Sequence, residues 1–184
     1  LFLFQLKMDI NNQILSLLQS MTSLIYEYWY VQFDFPDFNG KPYKSSGGKM
    51  VWNDELKRHI PKGWKIKPLS EIVSRIGTGL NPRKNFVLGN GENFYVTTKN
   101  IEYGTLMLDD SCDKIDDEAL EIINERSDLE IGDVLFTSIV PVGRTYLIQE
   151  KPSNWNINES LFTIRPNLEL VTPEYLFLLL SGNE

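Results

Sequence analysis

The chain has 184 residues, 42% hydrophobic and 23% charged, which is the composition of a folded globular protein rather than a disordered one. The single Cys112 excludes an intramolecular disulfide and a cysteine-rich zinc site. The single His59 excludes Ser-His-Asp, Cys-His and multi-histidine sites within this chain. No apolar run reaches the roughly 18 residues of a membrane span, and residues 1–6 lack the pattern of a signal peptide. We therefore expect a cytoplasmic protein with no membrane partner.

The net charge of −7 is unevenly distributed along the chain. The stretch from Asp109 to Asp133 holds 11 Asp and Glu against Lys114 and Arg126, whereas the rest of the chain has 16 Lys and Arg against 14 Asp and Glu. We expect the acidic stretch to be a solvated face turned away from any polyanion. This distribution permits DNA binding without arguing for it, because phosphate contacts depend on a local basic surface.

A long amphipathic helix is predicted within residues 1–35. Its apolar side chains recur in alternating steps of four and three, as in a coiled-coil seam. The positions predicted to pair with another helix are Ile14, Leu17, Met21, Leu24 and Tyr28. Asp9 is predicted to cap the start of the helix, and Pro36 prevents its continuation. An alternative is a helix that lies on the core of its own domain.

Residues 36–62 are rich in Pro, Gly and Ser and are predicted to be a linker, with one helical turn over 53–58. A globular pattern begins at Gly63, so the second predicted domain is 63–184. Because the chain stops inside the apolar run of its last predicted helix, we expect this domain to be incomplete at its C terminus.

The second domain is predicted to be α+β, with mixed strands and peripheral helices. Alternation, apolar runs and capping residues define its elements. In chain order these are an edge strand over 64–69, a helix over 70–76, a strand over 94–98, a helix over 116–125, strands over 134–138 and 145–148, a loop over 154–158 with its tryptophan tucked inwards, a strand over 160–164, and a helix over 173–180 capped by Thr172.

Three polar sets near predicted strand ends combine cations with small hydroxyl and amide groups. Such residues clamp phosphates and contact base edges, since Arg reads guanine and Asn reads adenine. The predicted DNA contacts are Thr78, Asn81, Arg83 and Lys84, with Thr98, Lys99 and Arg144 next. Ordinary turn chemistry is the alternative explanation for each set taken alone.

Two patterns raise the alternative of an enzyme, and both are weak. Asn81-Pro82 matches only the start of an amino-methyltransferase motif, and no glycine-rich turn for a cofactor accompanies it. Pro36-Asp37 followed by Glu55-Leu56-Lys57 matches a nuclease pattern, but these residues flank the predicted linker. We predict no catalytic residue, no metal site and no cofactor in this chain.

Several blocks together resemble the specificity subunits of type I restriction-modification systems. Residues 26–72 are similar to the central conserved region of these subunits where it enters the second target recognition domain. The downstream blocks that match are Thr78-Gly79-x-x-Pro82-Arg83, Val96-Thr97-Thr98-Lys99, Gly132-Asp133-Val134-Leu135-Phe136-Thr137-Ser138, and Asn158-Glu159-Ser160-Leu161-Phe162-Thr163-Ile164-Arg165-Pro166.

The resemblance implies a subunit that recognises DNA and leaves catalysis to its partners. Such subunits have two recognition domains, each reading one half of a bipartite sequence. Two long antiparallel helices between them fix the spacing and dock the methylation subunits. The methylation subunits use S-adenosylmethionine, and a separate restriction subunit uses ATP.

This sequence departs from the family pattern, because it has one recognition domain and one long helix. We therefore expect a half-subunit, and an apolar helix without an intramolecular mate favours a homodimer. The predicted function is sequence-specific recognition of double-stranded DNA. The alternative is a truncated module that binds methylation subunits without reading DNA.

Overall fold

The computed structural model describes residues 2–182; Leu1, Asn183 and Glu184, which the predicted domains include, lie outside the described residues. The described residues divide into two compact units, 2–66 and 67–182. The predicted domain limits at residues 35 and 62 stay predictions.

The first unit begins with α1 (Phe2–Tyr26), which continues as a π-helical turn over Glu27–Val31. The predicted cap at Asp9 is wrong, because Asp9 lies inside the helix and accepts a hydrogen bond from Gln5 Nε2 at 3.1 Å. Residues 2–8 contain no Gly or Pro that would stop a helix. Phe33, with a φ of 67°, turns the chain out of the helix ahead of the proline.

None of the described residues of α1 is buried. Its predicted pairing positions remain accessible, with Leu17 65% and Leu24 64% exposed. The alternative in which this helix lies on the core of its own domain is therefore wrong for the described part of the chain. Over residues 2–182, no helix combines the length and apolarity needed to cross a membrane.

The segment predicted to be a linker has a fixed set of contacts. Asp34 is buried and accepts hydrogen bonds from the backbone N–H and the hydroxyl of Ser45, which hold its pKa below the ordinary value. Phe35 stacks on Tyr43 and on Trp64, with ring centroids 4.8 and 5.4 Å away. Strands β1 (Met50–Asn53) and β2 (Arg58–Pro61) then form an antiparallel hairpin, so the predicted helical turn over 53–58 is a hairpin turn instead.

The second unit starts with a short helix, α2 (Leu69–Ile72), and β3 (Val73–Thr78). The predicted helix over 70–76 is therefore right only at its beginning, and the predicted strand over 64–69 does not form. The sequence 73–78 becomes a strand because it pairs antiparallel with a segment about ninety residues later, an interaction that outweighs local propensity.

Two sheets with mixed strand directions form the framework. The remaining strands are β4 (Asn93–Val96), β5 (Ile101–Glu102), β6 (Thr105–Leu106), β7 (Asp113–Ile115), β8 (Val134–Thr137), β9 (Thr145–Leu147), β10 (Trp155–Ile157) and β11 (Leu161–Pro166). The order β3-β11-β8-β9 gives an antiparallel four-stranded sheet, and β10-β4-β7 gives a second sheet in which β10 and β4 are parallel. Strand β10 replaces the predicted loop over 154–158, and Trp155 is buried as expected.

Two helices cover these sheets, which confirms the predicted α+β class. Helix α3 (Asp117–Ser127) begins at Asp116, whose carboxylate accepts a hydrogen bond from Ala119 N, and it packs against β10. Helix α4 (Pro173–Leu180) begins at Thr172, whose hydroxyl accepts from Tyr175 N, and it packs on the four-stranded sheet. The cap at Thr172 is the one the sequence predicts, and the predicted helix over 116–125 is confirmed with Asp116 as its cap.

The acidic stretch is only partly a solvated face. Asp133 is 1% exposed, and its two carboxylate oxygens accept from Arg165 Nε at 2.8 Å and Nη2 at 3.0 Å. The hydroxyl of Thr163 also donates to this carboxylate. The expectation of a fully solvated face is wrong here, because a buried charge is tolerated when it is paired and hydrogen-bonded.

Candidate nucleic-acid interface

The loops that carry two of the three predicted sets of DNA contacts leave one end of the four-stranded sheet, whereas the third set follows β4 in the other sheet. Thr78 at the end of β3 pairs with Phe162, Phe162 pairs with Phe136, and Phe136 pairs with Thr145. These four residues form one row across the sheet, in which neighbouring strands are about 4.8 Å apart. The loop after β3 and the loop between β8 and β9 therefore begin at the same end of the sheet. Their starts are two to three strand spacings apart.

The segment 157–160 joins all three predicted sets of contacts. Gly79 lies against the carbonyl groups of Ile157 and Asn158. Asn158 N donates to Val96 O at 2.9 Å at the end of β4, just before the third set. Ser138 N donates to the carbonyl of residue 160 at 2.9 Å, at the start of the β8–β9 loop. The segment 157–160 thus contacts the starts of all three loops.

Arg83 and Lys84 stand at the tip of a closed turn. Asn85 N donates to Pro82 O at 2.6 Å, and the side-chain amide of Asn85 donates to Asn81 O at 2.8 Å. Both cations are exposed, and among residues 2–182 neither has a hydrogen bond or an ion pair. Their charges are therefore available to a ligand.

The base of the same loop is fixed at three consecutive residues. Arg126 in α3 donates from Nε to Gly79 O at 3.0 Å and from Nη2 to Thr78 Oγ1 at 3.2 Å. The buried Tyr95 donates its hydroxyl to Leu80 O at 2.7 Å. Burial, together with the Glu159 carboxylate, raises the pKa of Tyr95, so the phenol keeps the proton that it donates. An exposed tip on a fixed base is a preorganised contact loop.

The space around residue 79 permits only glycine. A Cβ at this position would overlap the carbonyl of Ile157. A larger residue would displace the start of the loop from the end of the sheet, so the glycine is a packing requirement.

The contacts after β4 are partly engaged within the protein. Thr98 and Lys99 lie in a 3₁₀ turn (Thr98–Asn100), where Thr98 is half-buried. Lys99 Nζ lies 3.7 Å from Asp113 Oδ2, and both side chains are largely exposed. Such a surface pair is weak enough to exchange for a ligand phosphate.

Arg144 has firmer partners than the other predicted contacts. It donates from Nη1 to Ile101 O at 2.9 Å, and Nη2 lies 3.5 Å from Glu102 Oε1. The guanidinium therefore ties the β8–β9 loop to the β5–β6 hairpin. Its role as a DNA contact stays a prediction, and it would require these contacts to be shared or broken.

Sequence reasoning missed the two residues that hold the main loop. In the sequence, Tyr95 is one member of a predicted strand. Nothing in its position indicates that its hydroxyl binds the Leu80 carbonyl. Arg126 was one of two cations among 11 carboxylates. This isolation indicates a specific interaction, because a lone cation in an acidic stretch often has a specific partner.

The two carboxylates of the nuclease pattern lie in two different turns. The carboxylate of Asp37 accepts hydrogen bonds from the backbone N–H groups of Asn39 and Lys41 in its own turn. Glu55 is exposed in the hairpin turn. Over residues 2–182, no three His, Cys, Asp or Glu side chains form a group that could hold a metal ion.

Comparison with known proteins gives consistent matches. The chain is 28% identical over 117 residues to the type I restriction enzyme MjaIX specificity subunit of Methanocaldococcus jannaschii, a match over 60% of this chain and 24% of that subunit. It is 39% identical over 54 residues to the HindI specificity subunit of Haemophilus influenzae, over 29% of this chain and 12% of that subunit. The chain thus spans about a quarter or less of these curated relatives.

A solved structure shares the fold. A chain in a structure of complex assembly and conformational transition in the type I R-M system superimposes with a TM-score of 0.50 at 15% identity, covering 96% of this chain and 37% of that one. The family model described as the type I restriction modification DNA specificity domain matches residues 61–184, more than half of the sequence. The chain therefore belongs to the family of type I restriction modification DNA specificity domains.

Proposed function

We propose that this chain recognises a specific sequence in double-stranded DNA, as the non-catalytic half-subunit of a type I restriction-modification methyltransferase. One observation carries the proposal: in a member of a DNA specificity family, a loop whose two cations are unpaired within residues 2–182 is fixed at its base and leaves the end of the sheet from which the β8–β9 loop also begins. That arrangement suits a surface that must present its contacts in one register.

The residues of the loop have different tasks in this proposal. Arg83 has the planar fork that bonds two acceptors of guanine in the major groove, whereas Lys84 has a compact charge suited to phosphate. In this proposal Asn81 contacts an adenine edge. Thr78 contributes through Arg126, because its hydroxyl is already an acceptor for that guanidinium. Thr98, Lys99 and Arg144 supply secondary contacts.

Partners supply the chemistry in this proposal. Methylation subunits with S-adenosylmethionine would carry out base methylation, and an ATP-dependent restriction subunit would act through the assembled complex, both in the cytoplasm. The exposed seam of α1 supports binding to another apolar helix, either of a second copy of this chain or of a methylation subunit. The exposed fractions at Ile14, Met21 and Tyr28 are 49%, 56% and 41%.

The decisive experiment is methylome sequencing in a host that expresses the methylation subunits with and without this chain. We expect one bipartite methylated motif that appears only when the chain is present. Arg83→Ala should lower methylation at that motif. If the chain copurifies with the methylation subunits but no motif appears, the alternative of an interaction module that does not read DNA is correct.

A further inference from the structure

Positive charge is concentrated in one segment of the first unit, whereas the predicted recognition loops belong to the second. Residues 41–65 hold six Lys and Arg58 against Asp54 and Glu55, and the other residues hold 11 Lys and Arg against 23 Asp and Glu. Residues 67–182, which carry the loops, have 10 Lys and Arg against 18 Asp and Glu. The unit that is proposed to read bases is thus acidic and repels the phosphate backbone at long range.

The basic segment is an ordered surface. Its frame consists of the β1–β2 hairpin, the aromatic stack of Phe35, Tyr43 and Trp64, and the paired Asp34 and Ser45. Because the backbone is fixed by these contacts, the lysines that it carries stand at defined positions.

Most of these cations have no partner in the protein. Arg58 is committed, since it donates to Val31 O at 2.7 Å and lies 4.7 Å over the Phe33 ring, and Lys44 faces the Asp34 carboxylate. The other five are exposed, and within residues 2–182 none has an ion pair. We name these five the lysine surface: Lys41, Lys49, Lys57, Lys62 and Lys65.

Two members of the lysine surface are direct neighbours. Lys62 N donates to Lys49 O at 2.8 Å, which extends the β1–β2 ladder by one residue pair. Like charges opposite each other on paired strands destabilise the fold. No carboxylate of the described residues relieves this pair, so an external anion would stabilise it.

The spacing and the residue type favour a phosphate backbone over a protein. From Lys57 to Lys62 the extended chain spans about 17 Å, a length of duplex that presents about ten phosphate charges. Lys is depleted at protein–protein interfaces, where Arg is enriched, but serves well as a point charge on phosphate. The set contains five lysines and no free arginine, which matches contact with phosphate rather than with an acidic protein.

We propose that the lysine surface binds the phosphates of duplex DNA without reading sequence. It supplies the electrostatic affinity that the acidic unit lacks, and the recognition loops then discriminate among sequences. The identity of the ligand as DNA rests on the proposed function. The site itself lies wholly in the first unit and shares no residue with the predicted recognition contacts.

The test is the salt dependence of binding to a labelled duplex of random sequence, followed by fluorescence anisotropy with the full chain. The variant Lys49→Gln/Lys62→Gln is compared with Lys7→Gln/Lys151→Gln, which makes the same change in net charge at two exposed lysines elsewhere. We expect the slope of log K against log salt to fall by about 1.8 for the first variant and little for the second. Lys49→Arg/Lys62→Arg should keep the wild-type slope.

Two outcomes would overturn the proposal: equal slopes for the two Gln variants, or no measurable binding of the wild-type chain to random duplex at low salt. A third outcome would also overturn the proposal: Lys49→Gln/Lys62→Gln keeps the wild-type salt slope on DNA but no longer binds poly-glutamate. That result would indicate a surface for an acidic protein. The ratio of cognate to random affinity is measured separately with the methylation subunits. If the proposed function fails, that ratio falls to one while the slope difference remains.

Discussion

At the scale of single residues, the site depends on a division between contacts and supports. Arg83 and Lys84 have no partner within residues 2–182, whereas Tyr95 and Arg126 donate hydrogen bonds to backbone carbonyls of the same loop. A cation in a loop is useful for recognition only when its base is held in one place. The two classes of residue therefore fail in different ways when they are replaced.

The two exposed cations should be separable by their effect on specificity. Arg83→Ala should cost about 1–3 kcal/mol on the cognate half-site and less on other DNA, because a forked guanine contact is lost. Lys84→Ala should weaken all duplexes alike and reduce the salt slope by about one. Both are measured as duplex affinities in the presence of the methylation subunits. Equal losses for Arg83→Ala on cognate and random DNA would reassign it to the backbone.

Tyr95→Phe tests the support of the loop. Removing the hydroxyl takes the hydrogen bond from the partly buried carbonyl of Leu80, which should lower the free energy of unfolding by about 1–3 kcal/mol. The ratio of cognate to random affinity should fall with it. Tyr146→Phe is the matched control, a half-buried hydroxyl for which the described residues offer no hydrogen-bond partner. Chemical denaturation and duplex binding are the measurements, and similar losses in the two variants would contradict the support role.

At the scale of elements, the segment between α1 and β1 behaves differently from what its composition predicts. Gly, Ser and Pro predict a flexible linker over 36–62, yet Asp34 binds Ser45 and Phe35 stacks on two aromatic rings. Composition indicates how flexible the segment would be without contacts, whereas these contacts hold the segment in one conformation. The segment is thus able to carry the lysine surface.

Insertion of a Gly-Ser pair distinguishes a linker from a packed segment. Between Ser45 and Ser46, the insertion should lower the melting temperature clearly, because it separates the turn from the Asp34 carboxylate. Between Glu55 and Leu56, in the exposed hairpin turn, the loss should be smaller. Lengthening a loop costs only a fraction of a kcal/mol by itself. A linker would tolerate both insertions equally, and thermal melts of the two proteins decide the matter.

At the scale of the whole molecule, two kinds of exposed surface are left for partners. The lysine surface is polar and suits a polyanion. The seam of α1 is apolar, and a contiguous apolar surface of this kind marks a protein interaction site. If both proposals hold, nucleic-acid binding and assembly use different segments of one chain.

Assembly should depend on the seam of α1. Leu17→Glu/Leu24→Glu places two charges in an apolar interface and should abolish association, measured by sedimentation of the chain alone and with methylation subunits. Asn12→Glu/Ser23→Glu adds the same charge on the opposite face of the helix, at 100° per residue, and should associate normally. Association that survives in the first variant, with the domain still folded by circular dichroism, would show that the seam is not the interface.

The sequence by itself determined the features that depend on near neighbours. The helical period of α1, the cap at Thr172 and the apolar run of β8 follow from local chemistry, and the structure confirms the helix, the cap and the strand. The α+β class followed from the same signals. The polar residues of its cation-bearing loops could also be identified from the sequence, because the residues of each set lie in one short stretch.

Only the tertiary structure decided which of those residues are bound and which are free. Residues 73–78 form a strand because β11 pairs with them, and Asp133 is buried because Arg165 reaches it across the sheet. Arg144 has internal partners and Arg83 has none within the described chain, although both are arginines in loops. The partners that decide these outcomes lie some 30 to 90 residues away, and no local pattern reports whether a donor will meet an acceptor at that distance.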